Sequence, residues 1–138
     1  MRIITFGTFD LFHLGHLNII KRCKYYNNDD DNYLIVGVSS DKLNYDKKQR
    51  YPIISEDQRL EIVKNLKQVD EVFIEESLEQ KLEYCLKYKA DLLIMGDDHL
   101  GRFDFLKDSN IDVVYLPRTN DISTTDIINK INKINKIV

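Results

Sequence analysis

The chain has 138 residues, a formal net charge of −3, 43% hydrophobic and 31% charged residues, and two cysteines. That length suits one domain with a sizeable core, and no apolar run reaches the roughly 18–20 residues of a membrane span. The acidic balance argues against broad nucleic-acid binding, which rests on neutralising many phosphates, but leaves room for a nucleotide, which needs only a local cation cluster. Cys23 and Cys85 sit alone inside helical patterns and read as small buried hydrophobes, not as a disulfide or metal framework. No leader pattern precedes the first apolar run, so a cytoplasmic protein is expected.

Residues 2–6 read as a strand that runs straight into Gly7-Thr8-Phe9-Asp10-Leu11-Phe12-His13-Leu14-Gly15-His16, and residues 17–23 read as a helix leading out. Gly7 and Gly15 lack Cβ, so a ligand can approach the backbone there. The free N–H groups of the helix start favour an anion. His13 and His16 are three residues apart, a spacing that points both rings the same way on a first helical turn. Two imidazoles, Asp10 and a helix N-terminus together describe a phosphate site with titratable donors. Histidines that are exposed or merely cap the helix are the alternative, and no cysteine spacing supports zinc. The turn is neither a P-loop, lacking Gly-Lys-Ser/Thr, nor the three-glycine dinucleotide fingerprint.

Residues 27–32 form a polar surface turn, and residues 33–38 an unbroken apolar run suited to a strand covered on both faces of a parallel sheet. Residues 39–52 read as a long irregular stretch. Lys47, Lys48 and Arg50 crowd together there, past a strand end where open α/β sheets bind ligands, so a mobile basic loop that closes on phosphate is expected. Ser55 and Gln58 read as a capping box that opens a helix with Leu60, Ile62, Val63 and Leu66 inward. A strand over 69–74 follows. Ser77 then caps a helix to about residue 87, with Leu78, Leu82, Cys85 and Leu86 inward.

Residues 91–95 form a buried strand that stops at the acid-rich turn Gly96-Asp97-Asp98-His99. Residues 101–106 read as a short helix or turn. The last strand, 111–116, ends at Pro117, and a final amphipathic helix aligns Ile127, Ile131, Ile134 and Val138. Ser123, Thr124 and Thr125 at its start, with Arg118 upstream, can cradle phosphate, though a plain serine cap beside a surface arginine also fits. Five strands alternating with helices predict a single α/β domain over residues 1–138, with a parallel sheet and right-handed crossovers. Its special turns follow the first, second, fourth and fifth strands and converge on one cleft.

Three motifs carry a family resemblance. His13-Leu14-Gly15-His16 resembles the His-x-Gly-His motif of the nucleotidyltransferase superfamily. Arg118-Thr119-Asn120-Asp121-Ile122-Ser123-Thr124-Thr125 resembles the Arg-Thr-x-Gly-Ile-Ser-Thr-Thr signature of cytidylyltransferases. The stretch from Met95 to Leu106 resembles the glycerol-phosphate branch of that family. The resemblance spans about residues 2–128 in the family's order. Asp121 stands where the family usually has glycine, His99 where tryptophan is common, and Lys67 where arginine is common.

The resemblance implies a Rossmann-like α/β fold, an open parallel five-stranded sheet with helices on both faces, and a homodimer. It implies that CTP and an alcohol phosphate, glycerol 3-phosphate by the third motif, give a CDP-alcohol and pyrophosphate, with no nucleic-acid or membrane partner. His13 and His16 are then expected to hold the α-phosphate and leaving oxygen, and Lys47 to neutralise charge on the α-phosphate. Arg118, Ser123 and Thr124 are expected to hold pyrophosphate. Thr8, Phe9, Gly96, Asp97, Thr119 and Ile122 are expected around the nucleotide, with Arg59, Lys67, Asp98 and Lys47 toward the acceptor. Mg²⁺ is implied with the CTP phosphates, and Asp10 either orients its loop or sits near that ion. The chain has no tryptophan for a choline cage, which favours a polyol phosphate. A different alcohol phosphate, and a nucleotide-binding regulator without turnover, stay open on the sequence.

Overall fold

Alternation along the strands sets the architecture. In the computed structural model, which describes residues 1–118 and 123–137, five strands form one sheet. They are β1 (Arg2–Gly7), β2 (Tyr33–Ser39), β3 (Glu71–Glu75), β4 (Leu92–Gly96) and β5 (Asp112–Leu116). Their order is β3-β2-β1-β4-β5 and every pairing is parallel. The helices are α1 (Leu14–Lys24), α2 (Asp41–Lys48), α3 (Glu56–Lys64), α4 (Lys81–Lys87) and α5 (Thr124–Ile137).

Successive side chains of a strand point to opposite faces, so each strand feeds two cores. Ile4, Phe6, Ile35, Phe73, Leu93 and Met95 pack on one face with Cys85 of α4 and with Leu106. Ile3, Leu34, Val36, Val38, Leu92 and Ile94 pack on the other with Ile20 and Cys23 of α1 and Val63 of α3. Both cysteines are free and buried. Chain order reverses at β1, which lies between β2 and β4, so the crevice beyond the carboxyl ends of β1 and β4 is the topological switch point, where such sheets bind ligands.

The stretch expected to be irregular after β2 is instead the helix α2. Ser40 caps it by accepting the Leu43 N–H at 3.0 Å, Asp41 lies in its first turn, and Lys47 and Lys48 lie in its last. Those charges complement the helix dipole. Only two of its residues are buried, Leu43 and Asn44, so it carries no apolar period to reveal it. Ser55 occupies the N-cap of α3 but its side chain makes no capping bond. α4 starts at Lys81, after Gln80 and not after Ser77. Ile62, Leu78 and Leu86, expected inward, are exposed, as are Ile131 and Ile134 on α5. Residues 104–109 form a 3₁₀ turn. Val138, expected on the apolar face of α5, lies outside the described residues. Among those residues no helix is long and apolar enough to cross a membrane.

Arg59 of α3 is fully buried, with 0% exposure. Its Nε donates to the Ile54 carbonyl at 2.8 Å, and its Nη1 donates to the carbonyls of Thr8 at 2.8 Å and Ser39 at 2.7 Å. Its Nη2 donates to the Asp41 carboxylate at 2.7 Å. One planar group thus joins the ends of β1 and β2, the start of α2 and the segment before α3. A lysine has no planar fork to make these bonds. Arg59→Met leaves three carbonyls and a carboxylate without donors, so a loss of about 3–5 kcal/mol of unfolding free energy is expected in urea denaturation. A loss below about 1 kcal/mol would contradict the bracing role.

Candidate active site

The carboxyl ends of the strands open onto a cleft of about 790 Å³, a size that suits a nucleotide-class ligand. Its wall begins with the β1–α1 turn. Phe9 and Leu11 there have positive φ, 55° and 49°, a conformation that costs energy in residues with a Cβ. Asp10 holds the turn in place. Its two carboxylate oxygens accept the N–H groups of Ile53 and Ile54, at 2.8 and 2.9 Å, and its carbonyl accepts the Thr124 hydroxyl at 2.9 Å. Asp10 therefore orients the loop, and both of its oxygens are committed to backbone donors. Gly7 makes room for protein, not for a ligand: a Cβ there would lie 2.9 Å from the Phe9 ring.

His13 is the N-cap of α1. Its Nδ1 accepts the Gly15 N–H at 3.0 Å, and the His16 Nδ1 accepts the His13 N–H at 3.2 Å, a reciprocal capping box. An Nδ1 that accepts a hydrogen bond leaves the neutral ring's proton on Nε2. The two rings stack with centroids 3.8 Å apart and planes at 24°. His16 also packs against Phe9 and Phe12, each 5.4 Å away between centroids. The His13 Nε2 is buried and has no hydrogen-bond partner among the described residues. It is a donor with no acceptor among the described residues.

Burial holds the His16 pKa down to about 3, helped by the neighbouring charges of His13, Lys48 and Arg118. Burial and Arg118 likewise lower His13. Both rings are thus neutral Nε2–H donors at neutral pH, with fixed cations close by. Arg118 and the start of α5, Ser123, Thr124 and Thr125, line the same cleft. Ser123 also caps α5 by accepting the Asp126 N–H at 3.0 Å. The serine is a cap and a lining group at once.

Lys47 and Lys48 line the cleft from the last turn of α2. Lys47 is exposed as a residue, but its ammonium turns inward and donates to the Ser39 hydroxyl at 3.3 Å. Partial desolvation lowers its pKa, and Glu75 opposes that shift. The Thr8 hydroxyl donates to the Asn44 side chain at 2.9 Å, which ties the end of β1 to α2. Gly96 and Asp98 line the wall below β4, with Asp98 3.9 Å from Arg118. A Cβ on Gly96 would lie 2.7 Å from the Asp98 carboxylate, so the glycine lets that side chain fold back over the turn. His99 lines the cleft too, and burial lowers its pKa.

Two expected acceptor residues are not where the sequence suggested. Arg59 is not a free cation: its guanidinium is committed to Thr8, Ser39, Ile54 and Asp41, and it braces the site from behind. Lys67 is exposed just before β3, at the amino ends of the strands, opposite the cleft. Asp97 is exposed, and its neighbours Gly96 and Asp98 line the cleft instead. Thr119 and Ile122, expected near the nucleotide, and Asp121, in the family's glycine position, lie outside the described residues.

The cleft also contains groups the sequence did not single out. Glu75, Lys81, Ser39, Asn44 and Phe103 line it. Period-two alternation offered one signal: Glu75 shares a face with the core residue Phe73, so it points inward. Its partner Lys81 comes from the next helix, which only the tertiary structure shows.

The chain matches the cytidylyltransferase-like family over residues 4–130. It is 44% identical over 126 residues to glycerol-3-phosphate cytidylyltransferase of Bacillus subtilis, covering 91% of this chain and 93% of that protein. It is 39% identical to the Staphylococcus aureus protein of the same name, covering 91% of each. An FAD synthase of Korarchaeum cryptofilum is 34% identical, with 96% of this chain and 92% of that protein covered. A solved lipopolysaccharide core biosynthesis protein of Thermoplasma volcanium shares the fold, with a TM-score of 0.73 at 24% identity over 87% of this chain and 98% of that one.

The sign of the His16 shift gives a pH test. Between about 3 and 6.5 the unfolded chain binds a proton at this ring that the folded chain does not. Stability from His16 is therefore complete above pH 6.5 and falls as pH drops toward 3. NMR titration of the ring is expected to show His16 neutral from pH 8 down to about 5, and an apparent pKa near 6.5 would contradict its burial among aromatic rings.

Proposed function

This chain belongs to the cytidylyltransferase-like family, and from that premise we infer that it transfers CMP from CTP to glycerol 3-phosphate, forming CDP-glycerol and pyrophosphate. The relatives support the nucleotide and the acceptor. The observation that carries the chemistry is the stacked pair His13 and His16, whose Nε2 donors share one cleft with Arg118 and the start of α5.

The reaction needs no enzyme nucleophile. A phosphate oxygen of glycerol 3-phosphate attacks the α-phosphorus in line, the bond to the β-phosphate bridging oxygen breaks, and pyrophosphate departs with its electron pair. Catalysis is positioning and charge stabilisation. His13 and His16 donate Nε2–H bonds to the α-phosphate and the bridging oxygen as charge grows there. Each neutral ring keeps its Nε2 proton as it does so. Lys47 meets charge on the α-phosphate, and Lys48 adds a second cation beside His16 and Arg118. Arg118, Ser123 and Thr124 receive the pyrophosphate. Thr8, Phe9 and Gly96 are the groups from the expected nucleotide set that line the rest of the cleft, toward the nucleoside. Lys47 and Asp98 are the groups from the expected acceptor set that remain at the cleft.

Magnesium enters in this reading as the counterion of the CTP phosphates. Asp10 has both carboxylate oxygens on backbone N–H groups, and among the described residues the one cluster of three acids with metal spacing, Asp29 to Asp31, is an exposed turn outside the cleft. Each carboxylate oxygen of Asp10 keeps a second lone pair, so Asp10 is the cleft residue that would lie near the ion, which would neutralise phosphate charge when bound with CTP. A homodimer belongs to the same reading, supported by the uncovered apolar residues Ile131 and Ile134 on α5.

Pyrophosphate release is the direct assay. CTP with glycerol 3-phosphate is expected to outpace ATP with the same acceptor, and CTP with phosphocholine or phosphoethanolamine. The ATP arm matters because some relatives are FAD synthases. Release with no CTP pair would overturn the reading. His13→Ala and His16→Ala are each expected to lower kcat by on the order of 10²-fold, the scale of losing one preorganised donor, while circular dichroism stays native. Near-native rates in both variants would remove the catalytic assignment.

A further inference from the structure

With the phosphates of CTP on the histidines, Arg118 and α5, the end of the cleft left for the acceptor lies beyond β2 and β3. Its floor is a buried ion pair. Lys81 Nζ lies 2.5 Å from Glu75 Oε2, with side-chain exposures of 3% and 1%. The ammonium also sits 3.7 Å from the centroid of the Phe6 ring and 5.2 Å from that of Phe103. The other Glu75 oxygen accepts the Ser39 hydroxyl at 3.5 Å, and that hydroxyl accepts Lys47. Neither Glu75 nor Lys81 has a part in the transfer step. Taking two charges out of water is costly, so their place under the cleft calls for an account.

We propose that this pair sets acceptor specificity: Lys81 cancels Glu75, so the acceptor pocket rests on a floor of zero net charge that accepts a neutral hydroxylated head and does not hold a cationic amine. The inference rests on the reading of the cleft as a cytidylyltransferase site. The net charge is zero whichever partner carries the shared proton. Of the other charged groups at this end, Asp98, Glu79 and Arg102 belong to exposed residues, where water screens them, and the inward-turned Lys47 ammonium meets the pair only through the Ser39 hydroxyl. A buried charge is screened far less, so an unbalanced one beneath the pocket would dominate its field. Glu75 alone would make the pocket a cation site suited to an aminoalkyl phosphate. Paired with Lys81, it offers lone pairs to hydroxyl groups and little attraction to an ammonium.

The test is the ratio of kcat/KM for glycerol 3-phosphate to that for phosphoethanolamine, with CTP saturating. A ratio is insensitive to the fraction of enzyme that folds. Lys81→Met is expected to move it toward phosphoethanolamine by on the order of tenfold or more, since it leaves the carboxylate unbalanced. Glu75→Gln is expected to move it the other way, and it tests the same field if Lys81→Met proves insoluble. The double variant Glu75→Gln/Lys81→Met is expected to return the ratio close to that of the native protein, because the floor is neutral again. Ratios unchanged in both single variants, or displaced in the same direction, would overturn the inference while native CDP-glycerol synthesis left the reaction standing. A native protein that makes no CDP-glycerol would overturn the reaction and this inference with it.

Discussion

The buried guanidinium of Arg59 is the constraint on which the site depends. Strands β1 and β2 end side by side, and the carbonyls of Thr8 and Ser39 at those ends face inward, onto a side chain that water does not reach. Arg59 donates to both and to Ile54. It also fixes Asp41 at the start of α2. The direction of α2 follows from that contact, and with it the position of Lys47 and Lys48. The segment before α3 is fixed as well, which places the Ile53 and Ile54 N–H groups under the Asp10 carboxylate. Asp10 in turn holds the positive-φ turn that carries Phe9 and Leu11. Strain in a functional turn persists only where its surroundings over-determine it, and here the determinants can be named.

On that frame the site combines neutral donors with fixed cations. His16 is packed among two phenylalanines and His13, so its charged form is disfavoured. Arg118 and Lys48 push the same way. The result is a pair of imidazoles that donate without carrying charge, with cations arrayed around them to balance a polyanion. Such an arrangement does not need to reorganise as charge moves from the α-phosphate to the leaving oxygen. Lys47 is steered by a different route, through Ser39 to the Glu75–Lys81 pair, so the acceptor end and the phosphate end are linked by one run of polar contacts.

The sheet is legible in the chain because its strands are continuous apolar runs that need cover on both faces. The first turn is legible because glycine, acid and two histidines in one short span have few other uses. Arg59 misleads for a physical reason: an arginine near a ligand edge reads as a phosphate donor until its carbonyl partners are seen, and those partners are distant in sequence. Lys67 misleads because helix length decides which edge of the sheet a residue reaches. α2 is hidden because an eight-residue helix with two buried residues leaves no period to detect. The Glu75–Lys81 pair is a product of tertiary packing, and the strand alternation announces only that Glu75 points inward.

The central claim is a spatial one: phosphates between the histidine pair and the start of α5, and the acceptor head over Ser39 and Glu75. A crystal structure with CDP-glycerol bound tests it most directly. The α-phosphate is expected within hydrogen-bond reach of the Nε2 atoms of His13 and His16, and the glycerol hydroxyls over the Glu75–Lys81 floor, with Arg59 still bonded to Thr8 and Ser39. Phosphates held away from both imidazoles, or glycerol directed out of the cleft toward solvent, would contradict it.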